Sequence, residues 1–197
     1  MTMSVIDAPV LRAHGVGTRF FGREAVRGFS IELHAGAVHG LYGATGAGKT
    51  TIVRLLTGAL LPHEGELCIS GRVVASGGDA LLPGRSVAAN LFLGREPRAG
   101  GVIDHGRMAE DAAALLDELG VPGLDPGIRV YALDADARLL LECACAVAWG
   151  ASLLVIDDAR AAPTAAVRAA AAAGVAVLQL SDDLVGLLES CDSVTVL

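Results

Sequence analysis

No run of basic residues occurs anywhere in the 197-residue chain, and its formal net charge is -7. Binding along a phosphate backbone needs clustered Lys and Arg, so nucleic acid is not an expected partner. Paired C-x-x-C spacing is missing as well. Cys143 and Cys145 fall inside an apolar helical pattern and read as small buried hydrophobes, not as metal ligands or a disulfide framework. The N-terminus, MTMSVIDAPV, has no basic stretch followed by an apolar run, so it does not read as a signal peptide. With these absences, a reducing cytoplasmic setting is the expectation. The longest apolar run, 139–156 (LLLECACAVAWGASLLVI), has the length to cross a bilayer. Glu142 near its start, the Gly150-Ala151-Ser152 break and Asp157-Asp158 at its end predict instead a buried helix turning into a buried strand.

Hydrophobic residues make up 53% of the chain and charged residues 19%, which describes one compact domain with a sizeable core. The first third carries short strand-like runs at 10–13, 29–33 and 37–42, punctuated by Gly22, Gly28 and Gly36, as in an antiparallel β layer with tight turns. A helix is predicted after residue 50, with Ile52, Leu55, Leu56 and Ala59 on one face and Pro62 ending it. Residues 66–94 read as a strand, a turn region and a short helix. Another helix spans roughly 107–119, with Ala112, Leu115, Leu116 and Leu119 inward and Gly120 as its stop. The last sixty residues alternate helix and strand, with strands at 153–156, 175–180 and 194–197 and an Ala-rich helix over 161–173. The predicted fold class is α/β, with a mostly parallel sheet covered on both faces and an N-terminal antiparallel β-subdomain.

Gly43-Ala44-Thr45-Gly46-Ala47-Gly48-Lys49-Thr50 matches G-x-x-x-x-G-K-[ST] in full. Glycines let the backbone curl so that successive amides face the β- and γ-phosphates, and the following helix presents its positive dipole end to the anion. Lys49, the one lysine of the chain, reaches the β- and γ-oxygens; the Thr50 hydroxyl holds Mg²⁺ and Thr51 bonds the α-phosphate. An apolar strand before the loop and an amphipathic helix after it supply the context the mechanism requires. The expected ligand is Mg²⁺-ATP or a closely similar purine nucleotide. Downstream, Leu153-Leu154-Val155-Ile156-Asp157-Asp158 is a buried strand ending in two carboxylates. Beside a phosphate loop this places Asp157 as a Mg²⁺ ligand, directly or through water, and Asp158 as a weak candidate for general base.

With these pieces placed, the chain resembles the ATP-binding subunits of ABC transporters over nearly its whole length. SVAANLFLGREP at 86–97, ALLDELGVPGLDP at 114–126 and the closing DSVTVL are similar to the sugar-import branch, of ribose or xylose type. The resemblance implies a P-loop NTPase (RecA-like) core in one domain over 1–197, with a shortened helical subdomain at about 98–150. It puts Phe20 where an aromatic stacks on adenine. It implies transporter membrane subunits and a second ATP-binding subunit as partners, and a place at the cytoplasmic face of the inner membrane without a transmembrane segment of its own.

The chain also departs from that family. Its signature, L-S-G-G-Q or similar, falls on Leu133-Asp134-Ala135-Asp136-Ala137, where aspartates replace the serine and glycine that cap a γ-phosphate. A like-charge contact near 4 Å costs roughly 4 kcal/mol at an effective dielectric of about 20. The glutamine loop belongs between Gly71 and Ser86, yet the chain's one glutamine is Gln179. Asp158 stands for the catalytic glutamate, Ala159-Arg160 for the proline-threonine after it, and Asp182 for the switch histidine. Binding without efficient turnover is the expectation. A soluble ATP sensor or scaffold derived from that family is the alternative, followed by a small P-loop metabolite kinase with Arg95, Arg98 and Arg107 as lid arginines. The five histidines, His14, His34, His39, His63 and His105, form no cluster in sequence and read as surface or strand-edge residues; Trp149 and Tyr131 read as packing residues.

Overall fold

The computed structural model describes residues 8–20, 23–76, 80–121, 123–157 and 164–197, with the side chains of Phe20, Arg23 and Thr164 outside the description. The strands divide between two main sheets. A hairpin of β1 (Leu11–Phe20) and β2 (Arg23–Leu33) is joined on the other side of β1 by β4 (Glu64–Ile69), in an antiparallel sheet of order β2-β1-β4. Crossovers produce a parallel sheet of β3 (Val38–Tyr42), β5 (Arg72–Ala75), β8 (Ala151–Asp157), β9 (Ala176–Ser181) and β10 (Ser193–Val196), in the order β10-β3-β9-β8-β5. The helices are α1 (Lys49–Leu56), α2 (Val87–Leu91), α3 (His105–Glu118), α4 (Ala135–Ala148), α5 (Thr164–Ala172) and α6 (Leu184–Ser190), and a small hairpin joins β6 (Arg98–Ala99) to β7 (Val102–Ile103).

Strand alternation decides which cluster each parallel-sheet residue joins. On β8, Leu153 and Val155 face α1 and the antiparallel sheet, packing with Leu41, Ile52, Leu55, Phe29 and Leu11. Leu154 and Ile156 face the opposite way, against Val177, Cys143 and Ala146 of α4, and Val167 and Ala170 of α5. Both faces are covered, so the run reads as continuously apolar. A third cluster, from Leu81, Val87 and Leu91 through Met108, Ala112 and Leu116 to Leu141 and Cys145, unites α2, α3 and one side of α4. Thus the apolar run at 139–156 is a helix and a strand meeting at Trp149-Gly150. Among the described residues no helix is long and apolar enough to cross a membrane. Cys143 and Cys145 are buried as expected; burial pushes the Cys143 thiol up to about 12 and the Cys145 thiol up also.

Several expectations need correction. Gly28 ends no strand: with φ of +62° it sits inside β2 as a bulge, where the register between Val16↔Phe29 and Thr18↔Val26 shifts. Helix α1 stops at Leu56, well before Pro62, because Gly58, just past the Thr57 C-cap, takes left-handed backbone with φ of +74°; Ala59 is exposed beyond it. The stretch after residue 66 holds two strands, not one, and β5 belongs to the parallel sheet. Tyr131 is 59% exposed, whereas Trp149 packs and donates from Nε1 to the Asn90 carbonyl at 3.2 Å. His39 is buried on β3, next to the edge strand β10, its ring nitrogens 2.8 Å from Ser193 Oγ and 2.9 Å from Thr195 Oγ1 of β10. Burial lowers its pKa.

Asp192 ties β10 to β3 from outside the sheet. Its Oδ2 accepts the Val38 amide at 2.9 Å and its Oδ1 meets Arg168 Nη1 at 2.5 Å. Arg168 beside it, then the Val38 amide, hold its pKa below the ordinary carboxylate value. A depressed carboxylate adds stability that is complete above its unfolded pKa, near 4, and is lost as pH falls through the lower folded value. Both side chains are nearly half exposed, so screening keeps the contribution small, on the order of 1 kcal/mol. Asp192→Ala is therefore expected to lower the thermal midpoint by a few degrees at pH 7, with wild type and variant converging as pH falls through the lowered folded pKa of Asp192. An unchanged gap at all pH values, read by circular dichroism melts, contradicts this.

Candidate phosphate-binding site

The site begins where β3 ends. The Gly43 amide donates to the Ser181 carbonyl of β9 at 3.0 Å, and Ala47 closes a turn onto the Ala44 carbonyl at 3.0 Å. The chain then enters α1 through Gly48, whose φ of +99° is left-handed backbone. A Cβ there would lie 2.4 Å from the Ala25 carbonyl oxygen of β2. Glycine therefore serves both the turn and the close approach of the loop to the antiparallel sheet.

Helix α1 starts without a side-chain cap and without an acidic residue in its first turn. By contrast, Ser86, Asp104, Asp134 and Asp183 each cap the helix they precede with a side-chain oxygen. The first-turn amides of a helix have no partner inside it. At α1 they face a depression lined by Thr45, Gly46, Gly48, Lys49, Thr50, Thr51 and Asp182. The Lys49 ammonium lies over the loop, donating to the carbonyls of Gly43 and Ala44. Free amides, a helix dipole, one cation and three threonine hydroxyls form a receptor for a phosphate chain. The hydroxyl of Thr50 and the carboxylate of Asp182 are hard oxygen donors of the kind Mg²⁺ takes, so the residues fit that ion.

The structure distributes the remaining candidates unevenly. Asp157 ends β8, in register with Leu180 of β9, at the carboxyl edge of the parallel sheet, where ligands bind in open α/β folds. It lines a neighbouring depression with Ser76, Leu81, Arg138 and Glu142, not the one beside Lys49. Phe20 ends β1 opposite Arg23, at the rim of the hairpin, with its side chain outside the description. Asp158, Ala159 and Arg160 lie outside the described residues. Gln179 is buried in β9, its Oε1 accepting from Ser190 Oγ at 3.1 Å, and lines neither depression. Asp134 and Asp136 are exposed at the start of α4, and Asp134 Oδ1 accepts the Ala137 amide at 2.8 Å. Aspartate caps a helix as well as serine does, so the local fold tolerates it there.

The arginines that a kinase lid would need are engaged elsewhere. Arg95 donates to the Ala148 carbonyl, Arg98 to the Gly101 carbonyl, and Arg107 pairs with Asp111 at 3.5 Å. None of them lines the phosphate depression. Asp182, which in the sequence only marks a missing histidine, is a residue of the site: it lies in that depression. Its signal in the sequence, the pair Asp182-Asp183 after an apolar strand, does not say which aspartate caps the next helix and which faces the loop.

Comparison with known proteins agrees with this architecture. Residues 26–161 match the family model described as ABC transporter. The chain is 37% identical to the ribose import ATP-binding protein of Rubrobacter xylanophilus, over 96% of this chain and 42% of that one. It is 33% identical to the arabinose import ATP-binding protein of Pseudomonas fluorescens, over 94% of this chain and 40% of that one. The chain thus spans less than half the length of these curated relatives. In fold it is similar to an ATP-binding cassette of an ABC transporter solved in its ADP conformation, with a TM-score of 0.77 at 22% identity, covering 96% of this chain and 87% of that one. With a family model that matches more than half of its length and a phosphate loop in the place that fold requires, the chain belongs to the ABC transporter family.

Proposed function

We propose that this chain is an ATP-binding domain of a sugar-type ABC importer that holds Mg²⁺-ATP on the 43–50 loop and hydrolyses it slowly or not at all. The observation that carries the binding is the uncapped start of α1 facing a depression that contains Lys49 and Thr50. Ribose and arabinose import appear in the names of its relatives, which supports the carbohydrate branch. In this reading the loop amides and Lys49 bind the β- and γ-phosphates and Thr51 the α-phosphate. Thr50, with Asp157 through water, holds Mg²⁺, and Phe20 stacks on adenine. Mg²⁺ would neutralise phosphate charge when bound; the chain's own residues orient the phosphates and shield them from water. Membrane subunits and a second ATP-binding subunit are the partners, at the cytoplasmic face of the membrane.

Slow turnover follows from the residues at the catalytic positions. Asp134 and Asp136 present carboxylates where a partner's γ-phosphate would need donors, and Asp182 stands where the family has a histidine. Removing one preorganised transition-state group costs about 10² to 10³ in rate, and such losses do not simply add. The test is phosphate release from Mg²⁺-ATP by the purified chain, beside Lys49→Ala as background. The expected rate is indistinguishable from that background although ATP binds. Saturable release above background contradicts the proposed loss of hydrolysis while leaving the binding intact. Co-purification from its native cell with membrane subunits supports the transport role, and recovery of the chain without them favours the sensor alternative.

A further inference from the structure

We infer that two copies of this chain pair, without nucleotide, through the outer edge of β10 and the flank of α6 beside it. Among the described residues β10 pairs with β3 alone, so it ends the parallel sheet. An unpaired strand edge is a template for another strand, and proteins guard it with charge, proline or a bulge. The other edges of the two main sheets follow that rule. Edge strand β2 carries Glu24, Arg27 and Glu32, β4 carries Glu64 and Glu66, and β5 begins at Arg72. Edge strand β10, Ser193-Val194-Thr195-Val196, has no such guard and pairs in unbroken register. His39 holds Ser193 and Thr195, and Asp192 holds the Val38 amide, so the edge is fixed in extended form before a partner arrives.

The flank of α6 next to this edge is apolar. The helix lies over β3: a Cβ on Gly40 would stand 3.2 Å from both Leu187 Cβ and Cys191 Sγ. Ser190 turns toward β9, its Oγ donating to Gln179 Oε1 at 3.1 Å. Leu184 and Leu188, one turn apart, lie on the opposite side of Leu187 and therefore flank β10. Val194, whose Cγ2 also nears Gly40, shares that face of the sheet, as does Val196 by alternation. Leu188 is 63% exposed, and Val185 and Val196 are each 66% exposed. With Leu184 and Leu197 they expose roughly 500 Å² of apolar surface, a size that marks an interaction site.

A second copy supplies what this surface lacks. Antiparallel pairing of β10 with itself about a two-fold axis is self-complementary and closes, whereas a head-to-tail contact would not. β3 and its copy would lie three strand spacings apart, about 14 Å. Helices in direct contact sit about 8–10 Å apart, so the two α6 helices leave a gap over the joined edges. Leu184, Leu188 and Val196 of both copies fill it. The apolar surface of the two copies comes to about 1,000 Å² before the paired backbone is counted, which reaches the lower bound for a specific interface.

The test is sedimentation velocity of the full chain from low to high micromolar concentration, without nucleotide. A reversible dimer is expected. Leu188→Asp should raise its dissociation constant by about 100-fold or more, because each substitution acts twice in a two-fold interface. Val196→Lys should do the same from the strand, and circular dichroism melts show that each variant is folded. Leu61→Asp changes a leucine that is exposed beyond α1 and should leave the dimer unchanged. A wild-type monomer at every concentration overturns the inference. So does a dimer that Leu188→Asp and Val196→Lys leave intact, or one that forms only with Mg²⁺-ATP. None of these outcomes bears on whether the loop binds ATP.

Discussion

Gly48→Ala is expected to abolish measurable Mg²⁺-ATP binding and to lower the thermal midpoint of the chain. Two constraints act on that residue at once. Its φ of +99° strains any side chain, at a cost on the order of 1–3 kcal/mol. The new methyl would also stand 2.4 Å from the Ala25 carbonyl oxygen and 3.2 Å from Val26 Cγ2. The first of these is backbone of β2, anchored to β1 by the pairs Thr18↔Val26 and Arg19↔Glu24 on either side of it, so it cannot swing aside as a side chain end would. Relief comes from displacing the loop, which moves the first-turn amides of α1 off the phosphate positions. Gly46→Ala is the comparison: its φ is +88°, but the added methyl meets open space within 4 Å. It should lose stability through strain and keep a larger share of its affinity. Calorimetry and thermal melts on both variants read the difference, and equal behaviour of Gly48→Ala and wild type contradicts the packing described for the loop.

Lys49→Ala should weaken Mg²⁺-ATP binding by roughly 100-fold or more and leave the fold intact. Lys49 supplies the positive side chain in a depression whose other lining residues are glycine, threonine and Asp182. A hydrogen bond to a charged group contributes about 1.5–3 kcal/mol, and truncation here removes the charge that faces the phosphates. The ammonium's own bonds run to the loop carbonyls of Gly43 and Ala44, so its removal takes no support from the core. Lys49→Arg should not rescue, because a planar guanidinium cannot replace a compact ammonium seated against a tight loop. Unchanged affinity in Lys49→Ala would place the nucleotide elsewhere.

How far the sequence could be read depended on which physics set each feature. The phosphate loop was legible because glycine, lysine and threonine at fixed spacing have few other uses, and the apolar alternation around it identified strand and helix. Continuous apolar runs located β8 and β9, and period-3.6 patterns α3 and α4, within a few residues. The two long hairpin strands were harder. Residues 14–19 of β1 and 24–28 of β2 carry His, Arg, Glu and Gly on an edge layer that is only partly covered, and tertiary pairing formed the strand against weak local preference. Likewise the short β5 is four residues long, defined by its pairing with β8 more than by its own composition. At the site, no sequence rule separates Asp182 from Asp183, nor places Asp157 beside Arg138 instead of Lys49. Those are consequences of where each strand ends within the sheet.

The central claim is that the loop from Gly43 to Thr50 is a nucleotide site in this chain. Isothermal titration of the wild-type chain with Mg²⁺-ATP tests it most directly. Saturable binding in the micromolar range, with one nucleotide per chain, is the expected result. Absence of saturable heat up to millimolar Mg²⁺-ATP, from a chain whose melting transition shows it folded, would contradict it.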